Sequence, residues 1–344
     1  MGDFTSAAGA FEEILYAAKD GVATITLNRP KVYNSYSTRT LKELIAAFQA
    51  ASWDDAVQVI VYTGAGTRAF CTGGDVKEYE EKYTKRPHDY WKYMGLFRGY
   101  LESILHCGKP VIARLNGMAV GGGNESQLAC DLTVMAEHAY VGQVGTSVGS
   151  VACGGATQWL PLVVGDKRAR EMLLMNPRIP ARKALEWGLV NAVAPTVRLN
   201  DQWIEGPAPD AVEKAQNGVD GYRIDVSKLD EIVASYARSL KDKFPECTRY
   251  TKTQANALKD FVWNSTVGHA QDWLALHFAS VEPYEGMSAF VEKRKVDFAG
   301  IRAKLASGES TEFLHGPYTK ACSKCGAKGL PANFSHCGLC GARL

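Results

Sequence analysis

From about Gly21 to Pro195 the chain alternates β-rich runs with helical ones, and no other feature limits its fold so tightly. The order is "GVATITLN", "STRTLKELIAAFQAAS", "VQVIVYTG", the long helical stretch "YWKYMGLFRGYLESIL", then "VIARLNG", "LTVMAE" and "ARKALEWGLVNAVAP". Strands that alternate with helices bury their faces under those helices, which predicts an α/β core over residues 1–225. Within it the pattern lapses after Pro195. "TVRLNDQWIEGPAPDAVEKAQNGVDGYRI" lacks periodicity and is rich in Gly, Asp, Asn and Pro, so residues 196–225 are expected to form an excursion loop over the surface. Residues 226–306 read as helical, led by "SKLDEIVASYARSLKDKF" and "EGMSAFVEKRKVDFAGIRAKL". An exposed linker is expected over 307–319 and a separate small unit over 320–344.

A length of 344 residues allows ample core, and a net charge of +2 provides no field that would hold nucleic acid by itself. No apolar run approaches membrane-spanning length, and the N-terminus has no basic segment followed by an apolar one. The expected compartment is therefore the cytoplasm, with no membrane partner. The opening "MGDFTS" satisfies the Met-Gly-x-x-x-Ser pattern for myristoylation, but the pattern is short and the following "FEEILYAAKDG" reads as a lead into the first strand. Cys71, Cys107, Cys130, Cys153 and Cys247 are scattered, as reduced cysteines of a cytoplasmic protein are.

Cys322, Cys325, Cys337 and Cys340 are not scattered. They form two Cys-x-x-Cys-Gly knuckles in "CSKCGAKGLPANFSHCGLCGARL". Each knuckle lets two thiolates reach one metal while the glycine permits the tight turn, and four sulfurs complete a tetrahedral shell. A closed shell leaves no coordination position for a substrate, so the predicted role is structural. Zinc is the expected metal, although iron fits the same cage. His336, beside Cys337, is then left outside the ligand set.

Two glycine-rich turns follow strands. "GMAVGGGNE" carries Gly121 and Gly122 into Glu125, and "AFCTGGDVKEY" places Gly73 and Gly74 before a helical segment. Glycines at such a junction present unblocked N–H groups near the positive end of a helix dipole, where an anionic oxygen sits well. Two turns converging on one oxygen would make an oxyanion hole.

The order "LNRPKVYNSYS", "AFCTGGDVKEY", "KPVIARLNGMAVGGGNE", "GGATQWL" and "EGMSAFVEKRKVDF" resembles the crotonase (enoyl-CoA hydratase/isomerase) superfamily over residues 10 to 305. The resemblance implies a spiral of ββα units with a helical C-terminal region, to which this chain adds the zinc ribbon. It implies an acyl-coenzyme A thioester as substrate, no catalytic cofactor, and assembly as a homotrimer or homohexamer. By the same resemblance the amides of Gly74 and Gly122 hold the thioester oxygen as it becomes an enolate, and Glu125 handles protons or water. Thr72, Gly73, Asp75 and Val76 cup the coenzyme, with Lys77, Gly121 and Gly145 beside them. Lys31 lies near the nucleotide, and Lys293 reaches the phosphates, in one arrangement from a neighbouring subunit. The ribbon is expected to contact a neighbouring subunit or another protein.

Ordinary hydratases of this superfamily carry a second glutamate where this chain has Gly145, two residues after Gln143. One carboxylate cannot divide water addition and α-protonation as two can. That departure, with "GGATQWLPLVVG", the excursion after Pro195, "FPECTRYTKTQANALKDFVWN" and "WLALH", resembles the ring-opening 6-oxocyclohex-1-ene-1-carbonyl-CoA hydrolases of anaerobic aromatic degradation. Hydration of a cyclic enoyl-CoA without ring opening is the alternative, and Tyr79, Tyr83, Ser147 and His88 are candidate partners for Glu125. Three rival readings come from other classes. "GTSVG" (145–149) fits the nucleophile elbow but needs a strand before it and a helix after it. "GAGTRA" imitates a dinucleotide fingerprint but leads into another turn. A non-catalytic acyl-CoA-binding scaffold would leave Glu125 without a purpose.

Overall fold

The computed structural model describes residues 11–344, so the Met-Gly-x-x-x-Ser pattern lies outside the described residues. A hairpin of β1 (Ile14–Lys19) and β2 (Val22–Leu27) leads to α1 (Thr38–Trp53), whose first turn is capped by Ser37 Oγ accepting from the Thr40 amide. β3 (Val59–Gly64), β4 (Ala69–Cys71), α2 (Val76–Lys82) and α3 (Pro87–Leu105) follow. Then come β5 (Val111–Leu115), β6 (Met118–Val120), α4 (Gly122–Ala129), β7 (Leu132–Ala136) and β8 (Tyr140–Gly142). α5 (Ala156–Val164), α6 (Asp166–Met175), β9 (Ile179–Pro180), α7 (Ala181–Glu186) and β10 (Ala192–Ala194) complete the alternating part.

The strands sort into two sheets by turns. β3, β5 and β7 are parallel neighbours in a six-stranded sheet of order β1-β2-β3-β5-β7-β10, while β4, β6 and β8 are parallel neighbours in a four-stranded sheet closed by β9. Each successive pair therefore gives its first strand to the large sheet and its second to the small one, which is the ββα spiral. β3 is buried at every position, as its unbroken apolar run requires of a central parallel strand.

The segment after Pro195 is not the expected loop. β11 (Val197–Leu199), β12 (Gln202–Ile204) and β13 (Tyr222–Ile224) form a sheet of order β12-β11-β13, with α8 (Pro209–Asn217) inserted before its last strand. Three-residue strands are too short for alternation to register in the sequence. Gly218, in the left-handed conformation, ends α8 and is one of the residues that gave the stretch its loop-like composition.

Helices α9 (Ser227–Lys241), α10 (Pro245–Ala255), α11 (Ala257–His277), α12 (Val281–Val291) and α13 (Phe298–Ala306) occupy the next stretch. The chain divides into two compact units, one comprising the residues to Asp75 with Tyr93–Thr146 and Val151–Gln271, the other Val76–Lys92, Ser147–Ser150 and Asp272–Leu344. In the first, α10 and α11 supply amines and an amide to the carboxyl ends of two helices. Lys252 Nζ donates to Ile104 O at 3.0 Å and pairs with Asp131 at 2.9 Å, Asn256 donates to Leu105 O at 2.9 Å, and Lys259 donates to Leu128 O at 2.7 Å. In the second, Tyr79 and Tyr83 pack edge-on or tilted about Tyr90, whose ring stacks on Phe278 with centroids 3.5 Å apart. Among the described residues no helix is long and apolar enough to cross a membrane.

Candidate active site

Each glycine of Gly121–Gly123 answers a separate steric demand. Gly121 sits at φ +56°, where it caps α4 and accepts from the Glu125 amide at 3.1 Å. A Cβ on Gly122 would lie 1.7 Å from the Tyr36 hydroxyl oxygen, and one on Gly123 2.1 Å from the Cys71 carbonyl oxygen. The start of α4 is thus pressed against β4 and the Tyr36 ring at a distance no side chain permits. Glu125 follows one turn after Gly122 and shares its face of the helix.

The other turn meets it. Gly73 has φ +88°, and a Cβ there would stand 2.9 Å from the Gly122 amide nitrogen. The Tyr36 amide donates to Gly73 O at 2.9 Å and the Asp75 amide to Tyr36 O at 3.0 Å, a bridge that flanks Gly74 and leaves its N–H outside the ladder. Neither the Gly74 nor the Gly122 amide has an acceptor among the described residues. Asp75 pairs with Arg29 at 2.9 Å, and Thr72 Oγ1 donates to Tyr33 O at 3.3 Å, so both ends of the turn are tied to the segment "RPKVYNSY".

Glu125 is buried, and its carboxylate rests at the amino end of α5. Oε1 accepts from the Ala156 amide at 3.2 Å, and the carboxylate also accepts from the Gly154 amide. Burial favours the neutral acid and outweighs those two donors, which favour the anion, so the pKa is raised from 4.5 to about 7. A Cβ on Gly154 would be 2.2 Å from Phe97 and 2.9 Å from Glu125 Oε2. Phe97 in turn stacks on Tyr36 with centroids 5.4 Å apart, linking the wall beside Gly122 to the wall beside Glu125. The Cys153 thiol, pushed up to about 12 by burial and by the Glu125 charge, remains neutral.

The structure therefore brings together Thr72, Gly73, Gly74, Asp75, Gly121, Gly122 and Glu125 in the first unit. Lys31 stands exposed in a 3-10 turn, Pro30–Val32, of the same unit. Gly145 opens a 3-10 turn after β8, and the preceding Val144 sets a methyl 3.5 Å from where a Cβ on Gly121 would be, so apolar surface lines this approach. Val76, Lys77 and Lys293 belong to the second unit, where Lys77 pairs with Glu81 and Lys293 lies just past α12 at φ +55°. Sequence reading missed Gly154, Ala156, Phe97 and Tyr36. The glycine pair at 154–155, immediately before the helix at Ala156, is the same signal as the two donor turns and could have found the first two. "GTSVG" forms no elbow, because no helix begins until Ala156, and "GAGTRA" runs into β4 rather than a helix.

In the tail, Cys322 and Cys340 sulfurs are 3.6 Å apart, those of Cys325 and Cys337 3.7 Å apart, and all four lie within 4.8 Å of one another. Zinc–sulfur bonds of about 2.3 Å put the corners of a tetrahedron about 3.8 Å apart, and a disulfide would need about 2.05 Å, so the cluster fits a single tetrahedral ion. The two knuckles repeat one another. Gly326 and Gly341, at φ +73° and +69°, donate to Cys322 O and Cys337 O at 2.9 Å each, and the Cys322 and Cys337 amides donate to Ala327 O and Ala342 O. His336 is exposed and bonds Ser335, away from the sulfur set.

A model of the enoyl-CoA hydratase/isomerase family matches residues 17–219. The chain belongs to the enoyl-CoA hydratase/isomerase family. It is 37% identical over 311 residues to a 6-oxocyclohex-1-ene-1-carbonyl-CoA hydrolase of Geobacter metallireducens, a match covering 83% of this chain and 81% of that protein. A protein of the same name from Thauera aromatica is 36% identical over 83% of this chain and 82% of its own length. Among solved structures, an enoyl-CoA hydratase from Mycobacterium avium subsp. paratuberculosis superposes with a TM-score of 0.66 at 25% identity, covering 84% of this chain and 99% of that one.

Proposed function

We propose that this family member is a hydrolase that adds water to a cyclic oxo-enoyl-CoA thioester and then opens the ring. The observation that carries the chemistry is the buried Glu125 carboxyl, poised at about 7 and one helical turn from Gly122, whose amide, like that of Gly74, is unengaged. The substrate class follows from the two hydrolases that resemble the chain over most of its length. Ionised Glu125 takes a proton from water as its oxygen adds to the β-carbon of the double bond. The displaced electron pair moves onto the thioester oxygen, which the Gly74 and Gly122 amides stabilise as an enolate. Glu125 then returns the proton to the α-carbon. Ionised again, it activates a second water that attacks the ring ketone. The bond between that carbon and the α-carbon breaks, its electron pair passes to the same thioester enolate, and α-protonation leaves an open-chain carboxylate that is still a CoA ester.

Lys31, Thr72, Gly73, Asp75, Val76, Lys77, Gly121, Gly145 and Lys293 are assigned to the coenzyme and acyl portions of the substrate. Zinc held by Cys322, Cys325, Cys337 and Cys340 would supply structure alone, since four thiolates fill its shell. Exposed Phe244, Leu258 and Phe261 on or beside α10 and α11 support assembly as a homotrimer or homohexamer, and burial of Cys71, Cys107, Cys130 and Cys153 as free thiols agrees with a cytoplasmic enzyme. The test is incubation with 6-oxocyclohex-1-ene-1-carbonyl-CoA in oxygen-18 water. Two incorporated heavy oxygens in an opened product are expected for wild type, and the same product formed about 10²–10⁴ more slowly for Glu125→Gln. One incorporated oxygen in an intact ring would reduce the activity to hydration.

A further inference from the structure

The two amides that face Glu125 belong to a turn, residues 153–157, that has few ties of its own. Gly154 and Gly155 impose little on the backbone, and Gly155 sits at φ +105°. Main-chain bonds run from the Thr157 amide to Ala152 O at 3.0 Å and from the Trp159 amide to Gly155 O at 2.6 Å, and the side chain that fastens the turn is Gln158. Its Oε1 accepts from the Gly155 amide at 3.1 Å and from Thr157 Oγ1 at 2.9 Å. Its Nε2 donates to Cys153 O at 3.3 Å and to Thr266 Oγ1 on α11 at 3.2 Å. Gln158 is buried, and its bonds to the Gly155 amide and to Cys153 O are shielded from solvent, while Thr157 and Thr266 are exposed. Both sides of Gly154 are thereby held by one amide group, which is itself anchored to a separate helix.

We propose that Gln158 is a positioning residue that locks the 153–157 turn in the form in which the Gly154 and Ala156 amides both face the Glu125 carboxylate. The inference rests on the reading of Glu125 as the acid/base and adds what sets its proton affinity. The titratable groups packed around the start of α4 are Cys71 on β4, Tyr100 on α3, Tyr36 and Cys153. Burial pushes both thiols up to about 12 and raises the Tyr100 phenol, so no charge from Cys71, Cys153 or Tyr100 competes with the two amides near neutrality. The amides are the groups that draw Glu125 down against burial. If the turn loosens, the anion loses its donors and the carboxyl becomes a weaker acid.

The experiment compares wild type, Gln158→Met, which keeps the length without polar atoms, and Glu125→Gln. For Gln158→Met the acid limb of the kcat/KM profile should move up by about one pH unit, with activity recovered at higher pH and KM unchanged. Isotope-edited infrared titration of carboxyl groups in folded protein, with Glu125→Gln identifying the band, reads the same shift without turnover. A limb and an infrared midpoint that stay at the wild-type value would overturn the proposal, even where kcat falls or the melting temperature drops. Undiminished activity in Glu125→Gln would instead overturn the acid/base reading, and the infrared arm would still decide whether Gln158 tunes the carboxyl.

Discussion

At the scale of single residues, the acid/base role proposed for Glu125 would tie activity to a stability penalty. Its carboxyl is an ordinary acid at 4.5 when unfolded and about 7 when folded. The native state therefore holds the proton more tightly, and the associated stability is complete below 4.5 and lost as pH rises through about 7. The loss amounts to about 3 kcal/mol. Glu125→Gln removes the ionisation and should stabilise the protein selectively above that range, while turnover falls by about 10²–10⁴. Thermal melts on both sides of the transition, with product assays on the same samples, check both halves. Gly122 makes a second residue-level case. Gly122→Ala drives a Cβ to within 1.7 Å of the Tyr36 hydroxyl oxygen. Loss of one oxyanion donor's alignment should lower kcat by about 10²–10³ with a smaller effect on KM, as steady-state kinetics would reveal.

At the scale of elements, α4 carries Glu125 and is fixed at both ends, by glycine contacts at its start and by Lys259 at its carboxyl end. The neighbouring α3 is held likewise by Lys252 and Asn256. Lys252→Met leaves Asp131 and the Ile104 carbonyl without their buried partner and should destabilise the fold by about 3 kcal/mol in urea titrations. Strands, the glycine turns and the order of motifs were legible in the sequence because each is local, coded by composition within ten residues. The clasp on Glu125 was not, since Ala156 reaches it across 31 positions and no periodicity records a contact of that kind. The same is true of Gly122, whose partner Tyr36 lies in a different segment. The sheet of β11, β12 and β13 escaped for the opposite reason, because its strands are too brief to show a pattern at all.

At the scale of the whole molecule, a family core is joined to a four-sulfur knuckle pair that the family match does not include. Metal analysis should find one zinc or iron per chain. Cys322→Ser with Cys337→Ser should lose that metal while ring opening continues, and a parallel loss of turnover would mean that the ribbon contributes to the site. The ββα spiral itself has a further implication. Cys71, Val120 and Gly142 end three adjacent strands of the small sheet, and the segments that follow bring Gly74, Gly122 and Gly145. Each turn of the coil thus delivers one of the residues assigned to the substrate from the tip of a small-sheet strand. On the proposed function, exchanging the third of these residues between an acid and a bare glycine would change the reaction without touching the scaffold, so divergence in this lineage could proceed one strand tip at a time.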